Sequence, residues 1–254
     1  MSVASYAAIG DSFSEGMGDE LANGTPRGWA DLVALGLAHA GQAPIGYANL
    51  AIRGRLLGPI LDTQLPAALA LHPELLSING GGNDIMRPRV SVAAVADRLV
   101  AAAEQEAAAG IRVMIVSGAD PGDHIPLGRL VRARGDELAL QVQKRIHGRG
   151  MLFVDNWADT GLRSLRYWSI DRLHLNALGH QRVAGNVLAA LGVDVAPASA
   201  GGDTLHDLET ARPRTAAYWR EYVLPWIGRR FTGRSSGDGR APKRPTLEPL
   251  NPPR

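Results

Sequence analysis

The chain has 254 residues, of which 45% are hydrophobic and 20% are charged, and it contains no cysteine. This length can bury a large core in one or two domains, and the lack of cysteine excludes disulfides, thiolate catalysis and cysteine-based metal centres. The formal net charge is +2, but residues 228–254 carry seven Lys or Arg and only two acids. The rest of the chain is therefore slightly acidic, which argues against a nucleic-acid-binding protein with a basic face.

Short apolar runs alternate with longer amphipathic patterns along the first part of the chain. The short runs predict strands at 6–9, 45–51, 74–79, 111–116 and 151–154. The longer patterns predict helices at 30–40, 60–71, 91–109, 127–147 and 178–191. Strands separated by helices indicate βαβ crossovers and a parallel sheet. We therefore expect an α/β fold, a three-layer α/β/α sandwich of the flavodoxin-like type with a five-stranded parallel sheet.

The composition changes after residue 195. Residues 196–204 are small and rich in glycine and alanine, and a helical pattern interrupted by prolines follows up to residue 227. Residues 228–254 are mostly Gly, Pro, Ser and Arg, with few side chains to bury. We expect one folded domain over 1–195, a linker and C-terminal helix over 196–227, and a basic, disordered tail over 228–254.

The sequence favours a cytoplasmic protein. The first apolar stretch stops at Asp11 and no Lys or Arg precedes Arg27, whereas a signal peptide needs a basic start and an uninterrupted apolar segment. Aromatic residues of the predicted C-terminal helix, followed by Arg229 and Arg230, could contact anionic lipid. Docking of this helix on the body or on a second subunit is the simpler interpretation, so we expect no membrane partner and leave the oligomeric state open.

Two polar spots follow the first two predicted strands. Parallel sheets bind ligands beyond the carboxyl ends of their strands, so these positions are candidates for chemistry. Ser12, in the stretch Gly10-Asp11-Ser12, can point its hydroxyl into that crevice, although the same residues also form ordinary turns and helix caps. Gly54 can present a bare backbone N–H to a ligand, although a turn that needs a positive φ also calls for glycine.

Two further spots follow later in the chain. Asn83 comes after three consecutive glycines, and its side-chain amide could hold a developing oxyanion, although an Asx turn explains the same residues. Asp171 and His174 are three positions apart, so the carboxylate can bond to Nδ1–H of the imidazole. That bond would fix the tautomer and leave Nε2 free to take a proton, although such a pair is also common on protein surfaces.

Other polar residues carry simpler interpretations. Asp123 and His124 are adjacent, but no second histidine or carboxylate cluster accompanies them, so we expect no metal and no cofactor. His180 falls within a predicted helix and is expected to be a packing residue. Arg53 and Arg55 flank the proposed glycine donor; they could contact an anionic substrate, but we expect solvated surface side chains.

The four polar spots occur in one order along the chain, as GDSFS, NLAIRG, GGND and DRLH. In this combination the sequence resembles the SGNH hydrolases, also called the GDSL esterase/lipase family, over about residues 4–192. The resemblance implies an acyl-ester hydrolase with a small-molecule ester substrate. It also implies that Ser12 is the nucleophile, that His174 is the general base and that Asp171 orients it. The oxyanion hole would comprise the N–H groups of Ser12 and Gly54 and the side chain of Asn83.

The family resemblance does not fix the substrate. No long insertion provides a lid over the site, which favours a short acyl group. A carbohydrate or natural-product O-deacetylase is one alternative. A binding module that has kept the fold without activity is an alternative of another class.

Overall fold

The computed structural model describes residues 3–194 and 235–252, together with Arg220. The linker and helix that we predicted over 196–227 lie outside these residues apart from Arg220. Among the helices of the described part, none combines the length and the apolar character that a membrane span requires.

A six-stranded sheet forms the centre of the molecule. Its strands are β1 (Ser5–Ile9), β2 (Ile45–Asn49), β3 (Leu75–Ile78), β4 (Arg112–Val116), β5 (Leu152–Val154) and β6 (Arg244–Leu250). They lie in the order β5-β4-β3-β1-β2-β6. The first five are parallel, as predicted, and β6 runs antiparallel to β2 at the edge. In the described part of the chain, the sheet therefore has one strand more than the five that the sequence predicted.

The sixth strand comes from the tail 228–254, which we expected to be disordered. Its pairing places Leu250 opposite Ile45 and Pro249 opposite Gly46. Prolines are tolerated here because an edge strand has one side free of ladder hydrogen bonds. Leu247 and Leu250 also pack against the two hydrophobic cores, one on each face of the sheet. The partner strand lies about 200 residues away in sequence, so the local composition of the tail could not reveal this pairing.

Helices cover both faces of the sheet, which confirms the three-layer arrangement. Within residues 3–194 and 235–252, the helices are α1 (Ser12–Glu15), α2 (Trp29–Gly41), α3 (Leu57–Pro59), α4 (Leu65–Leu69), α5 (Gly82–Ile85), α6 (Val92–Ala108), α7 (Gly128–Ile146) and α8 (Ala177–Ala190). A π-helical turn joins α3 to α4, and two short 3₁₀ turns lie between β5 and α8. Helices α2 and α8 bury their apolar faces on one side of the sheet, and α4, α6 and α7 on the other.

Helices α2 and α8 pack closely at Gly36. A Cβ atom on Gly36 of α2 would lie 2.6 Å from Cδ1 of Leu188 on α8, so any larger residue would require the Leu188 side chain to move. At the start of α8, the Asn176 side chain accepts a hydrogen bond from Gly179 N at 3.0 Å and caps the helix. The cap fixes where α8 begins, directly after the loop that carries Asp171 and His174.

Candidate active site

The loop after β1 presents Ser12 at the carboxyl edge of the sheet. Asp11 caps the short helix α1 by accepting from Phe13 N at 3.0 Å, and Ser12 is the first residue of that helix. A Cβ on Gly10 would come within 2.9 Å of the Asn79 carbonyl oxygen, so the chain turns here only with glycine. Ser12 is half-buried, whereas Asp11 is buried.

Asn83 links three of the four loops that the sequence singled out. It lies in α5, after Gly81, whose φ of +90° is in the left-handed region that favours glycine. Its Nδ2 atom donates to Asp11 Oδ2 at 3.1 Å and to the carbonyl oxygen of Arg55 at 3.0 Å. The amide therefore joins the loop after β1 to the loop after β2.

Gly54 lies in the loop after β2 with a φ of +73°. This left-handed conformation explains the glycine, as the turn interpretation predicted. Gly54 is not among the residues that line the pocket described below. Its neighbour Arg55 accepts the hydrogen bond from Asn83, so the loop itself lies beside the site.

Asp171 holds the imidazole of His174. The Asp171 Oδ2 atom lies 2.6 Å from His174 Nδ1. The other oxygen, Oδ1, accepts from Ser169 Oγ at 2.7 Å and from the backbone N–H groups of Leu173 and His174 at 3.0 Å. The carboxylate is fixed by these bonds, and it leaves Nε2 of His174 as the ring nitrogen that can exchange a proton with a neighbour.

The Asp171–His174 contact favours the charged forms of both residues. Burial alone would lower the pKa of His174, but the charge and hydrogen bond of Asp171 outweigh it and the pKa of His174 is raised. Burial would raise the pKa of Asp171, but the charge of His174 and the hydrogen bonds outweigh it and this pKa is lowered. Burial raises the pKa of Asp11 to about 6, although the Phe13 N–H and the charge of His174 oppose the shift.

Ser12, Asn83 and His174 line one cavity of about 130 Å³. Its inner walls are largely apolar and come from one face of α7 and from the sheet beneath. The apolar residues along these walls include Val131, Leu138, Ala139 and Val142 of α7, with Ile115 and Phe153 of the sheet. The cavity therefore extends from the polar residues into the space between α7 and the sheet.

Trp157 forms part of the cavity wall because α7 has a glycine opposite it. A Cβ on Gly135 would lie 1.9 Å from Cζ2 of Trp157, so only glycine lets the indole lie against the helix. The indole Nε1 donates to Asp136 Oδ1 at 3.0 Å, which fixes the orientation of the ring.

Both arginines beside Gly54 form ion pairs, and Arg53 is largely shielded from solvent, contrary to our expectation, whereas Arg55 stays 28% exposed. The Arg53 side chain is 15% exposed and forms a bidentate ion pair with Glu15. Arg55 pairs with Asp238 at 3.3 Å and also donates to the Gly237 carbonyl oxygen. Sequence reasoning missed these partners because they lie about 40 and 180 residues away from the arginines.

The remaining histidines of interest have structural partners. His180 is buried in α8 and its ring contacts the backbone of Trp29, consistent with a packing residue. His124 Nε2 lies 2.8 Å from the Arg163 carbonyl oxygen. Within residues 3–194 and 235–252, no three His, Asp or Glu side chains come together in a group that could hold a metal ion.

Comparisons with solved structures show a shared fold. TesA is 24% identical, with a TM-score of 0.60, and the match covers 74% of this chain and 97% of TesA. A catalytic mutant of Axe2, an acetylxylan esterase from Geobacillus stearothermophilus, is 18% identical, with a TM-score of 0.61 and coverage of 76% and 96%. A lipase from a goat rumen metagenome, Lip_vut3, is 18% identical, with a TM-score of 0.57 and coverage of 73% and 96%.

No curated protein matches the sequence at a significant level. A family model does match it, the GDSL-like lipase/acylhydrolase family, over residues 8–182. This range includes all four motifs that carried the resemblance. Because the match spans well over half of the chain, the protein belongs to the GDSL-like lipase/acylhydrolase family and is a carboxylic ester hydrolase.

Proposed function

We propose that the protein cleaves acyl esters through an acyl-enzyme on Ser12, with His174 as the general base and Asp171 as its orienting partner. One observation carries the proposal. Ser12, Asn83 and His174 line the same cavity although they come from three distant parts of the chain, and Nδ1 of His174 is held 2.6 Å from Asp171. A nucleophile, a base and an amide donor at one cavity are the parts that acyl transfer requires.

The first half of the reaction forms the acyl-enzyme. Nε2 of His174 takes the Ser12 proton as the Ser12 oxygen bonds to the ester carbonyl carbon, and Asp171 stabilises the imidazolium. The carbonyl oxygen becomes an oxyanion, held by the N–H groups of Ser12 and Gly54 and by Nδ2 of Asn83. His174 then donates its proton to the leaving alcohol as the carbon–oxygen bond breaks.

The second half of the reaction frees the enzyme. A water molecule gives a proton to His174 and attacks the acyl carbon. As the second tetrahedral intermediate collapses, the bond from the acyl carbon to the Ser12 oxygen breaks, His174 returns the proton to that oxygen, and the carboxylic acid leaves. In the free enzyme, both Nδ2–H bonds of Asn83 go to Asp11 and Arg55. Asn83 must therefore share or exchange one of these bonds whenever the oxyanion forms.

The cavity supports an apolar acyl group of modest length. An apolar cavity of about 150 Å³ is large enough for benzene, so a cavity of about 130 Å³ suits an acyl chain of about six carbons. We therefore propose short- to medium-chain esters as substrates. The largely apolar walls favour such chains over the acetyl group of a deacetylase substrate.

Aryl esters with acyl chains from acetyl to palmitoyl, together with an acetylated sugar, test the proposal. We expect the highest kcat/KM near hexanoyl, and we expect Ser12→Ala to abolish turnover and labelling by a fluorophosphonate probe. Ser236→Ala, a serine exposed at the surface, is the matched control. Equal rates for wild type and Ser12→Ala would reject Ser12 as the nucleophile. An unlabelled and inactive wild type would indicate the binding module instead.

A further inference from the structure

The C-terminal segment, residues 235–252, packs against the loops that carry the proposed oxyanion donors. This segment lies beyond residue 182, where the match to the family model ends. It includes β6, which adds to the sheet beside β2, and β2 leads directly into the loop 50–56 that contains Gly54. We call this loop the Gly54 loop. The contacts between the two segments are specific.

Ser235 contacts the backbone of the Gly54 loop. Its Oγ atom donates to the Arg53 carbonyl oxygen at 3.1 Å and accepts from Gly237 N at 3.0 Å. A Cβ on Gly54 would lie only 2.3 Å from this Oγ atom. The hydroxyl therefore lies directly against the peptide whose N–H is a proposed oxyanion donor.

Arg55 continues the same contact. Its guanidinium lies 3.3 Å from Asp238 Oδ1 and 3.4 Å from the Gly237 carbonyl oxygen. The other oxygen of Asp238 accepts from Ser235 N at 2.8 Å, which closes the turn. Because the Arg55 carbonyl oxygen accepts from Asn83 Nδ2, the C-terminal segment reaches the second proposed donor through one intervening residue.

Lys243 fastens the segment to the C-terminal end of the Ser12 helix, α1. Its Nζ atom is buried and donates to the carbonyl oxygens of Glu15 and Arg27 at 2.7 and 2.6 Å and to Asp31 Oδ2 at 2.6 Å. The Glu15 carboxylate in turn accepts from Arg53 N at 2.6 Å. Helix α1 and the Gly54 loop are thus bonded to each other and to the same C-terminal segment.

We propose that the C-terminal segment positions the oxyanion hole, with Ser235 and Lys243 as positioning residues. The inference rests on the proposed function, because it assigns a role relative to Ser12, Gly54 and Asn83. Neither residue lines the cavity that contains Ser12, so their effect on the reaction must pass through the backbone of the Gly54 loop and α1. A displacement of about 1 Å at such donors can cost up to a hundredfold in rate.

Steady-state kinetics and fluorophosphonate labelling of the full chain test the inference. In Ser235→Ala, we expect kcat to fall about tenfold, with KM within twofold and the rate of labelling reduced in parallel, since labelling also uses the oxyanion donors. The acid limb of the pH–rate profile should not move, because Ser235 does not contact His174. Ser236→Ala is the matched control, because the same substitution one residue away changes an exposed side chain.

The variants separate positioning from stability. Lys243→Met should lower kcat further than Ser235→Ala does, but it also destabilises the fold. Its kcat is therefore compared with that of Ser235→Ala, together with the thermal unfolding of each variant. A Ser235→Ala enzyme whose kcat equals that of Ser236→Ala overturns the inference, as does a loss of kcat that tracks the unfolded fraction. Failure of the proposed function looks different, because the wild type itself would then neither turn over esters nor react with the probe.

Discussion

The Nδ1 atom of His180 accepts a hydrogen bond from the backbone N–H of Trp29 at 3.2 Å. Its other ring nitrogen, Nε2, lies 3.1 Å from the Met17 carbonyl oxygen. Because Nδ1 accepts, the proton must be on Nε2, which donates to Met17. Protonation of Nδ1 would break the bond to Trp29 inside the core. Burial accordingly lowers the pKa of His180 to about 4, although the Met17 carbonyl opposes the shift.

We expect acid to destabilise the protein through His180. An unfolded chain protonates histidine near pH 6.5, whereas the folded chain resists protonation until about pH 4. Between these values the unfolded state binds more protons, so the free energy of unfolding decreases as pH falls, by roughly 3 kcal/mol in total. Urea unfolding from pH 7.5 to 4.5 measures this decrease.

A variant pair isolates the contribution of His180. His180→Gln should start less stable at pH 7.5 and then lose less stability on acidification than the wild type. His39→Gln, at an exposed position of α2, should keep the wild-type pH dependence. Identical pH dependence in wild type and His180→Gln would show that another group is responsible for the acid sensitivity.

The acid limb of the pH–rate profile depends on Asp171. A neutral His174 is needed to accept the Ser12 proton, so kcat/KM falls as pH drops through the pKa of His174. Asp171 raises that pKa against burial, while Arg53 lowers it and Asp11 raises it. We therefore expect the wild-type acid limb to lie above pH 6.5, the ordinary value for histidine.

Asp171→Asn should lower kcat/KM by about 10³–10⁴, since the amide no longer holds the productive tautomer of His174. Without the carboxylate, burial becomes the main influence on the pKa of His174 and lowers it, so the acid limb should move to lower pH. Asp97→Asn, which changes an exposed carboxylate on α6, is the control. An acid limb that stays in place in Asp171→Asn would mean that it reports a different group, of which Asp11, with its pKa of about 6, is the first candidate.

Apolar periodicity predicted the layers of the fold and the edge of the sheet at which to look for chemistry, whereas the roles of the residues there came from the resemblance of the four motifs. The five parallel strands have strong apolar patterns, and their carboxyl ends meet at one edge of the sheet by the geometry of βαβ units. Residues that follow those strands, such as Ser12 and Asn83, are therefore expected at the same edge of the sheet. The partners of Arg53 and Arg55 could not be predicted, because nothing in the local sequence specifies them.

Strand β6 shows the limit of composition as a guide. The sequence RPTLEPL contains two prolines and two charges, which is typical of a loop. It forms a strand for two reasons. The edge of β2 is open for pairing, and Lys243 forms an ion pair with the Asp31 carboxylate next to that edge. Both partners are distant in the sequence and come together only in the folded protein, so the sequence of residues 228–254 alone predicts disorder.

If the cavity lined by Ser12, Asn83 and His174 binds the acyl chain, a substitution in its wall should change the preference for chain length. Ala139 lies on the face of α7 that lines the cavity, so Ala139→Leu should fill part of its inner end. We expect kcat/KM for the octanoyl ester to fall about tenfold and that for the acetyl ester to stay within twofold, since loss of burial for two methylenes costs about 1.6 kcal/mol. An aryl ester panel measures both values.

A leucine at position 139 could also lower the activity toward every ester by overpacking the core, so a control variant is needed. Ala101→Leu makes the same change at an exposed position of α6 and should alter neither ester. A uniform loss across all chain lengths in Ala139→Leu, accompanied by a lower melting temperature, would count against the proposed acyl site. Unchanged selectivity would place the acyl chain elsewhere on the surface.

The ion pair between Lys243 and Asp31 should dominate the attachment of β6. Burial lowers the pKa of Lys243 and raises that of Asp31, so each group depends on the other to stay charged. Lys243→Met should therefore cost about 3–5 kcal/mol in urea unfolding at pH 7, because it leaves a buried carboxylate unpaired. Adding Asp31→Leu removes that carboxylate and should recover part of the loss. The control is Glu248→Gln, which breaks only the exposed ion pair with Arg244 and should cost about 0.5 kcal/mol or less. A Lys243→Met variant as stable as this control would show that β6 is held by its backbone pairing alone.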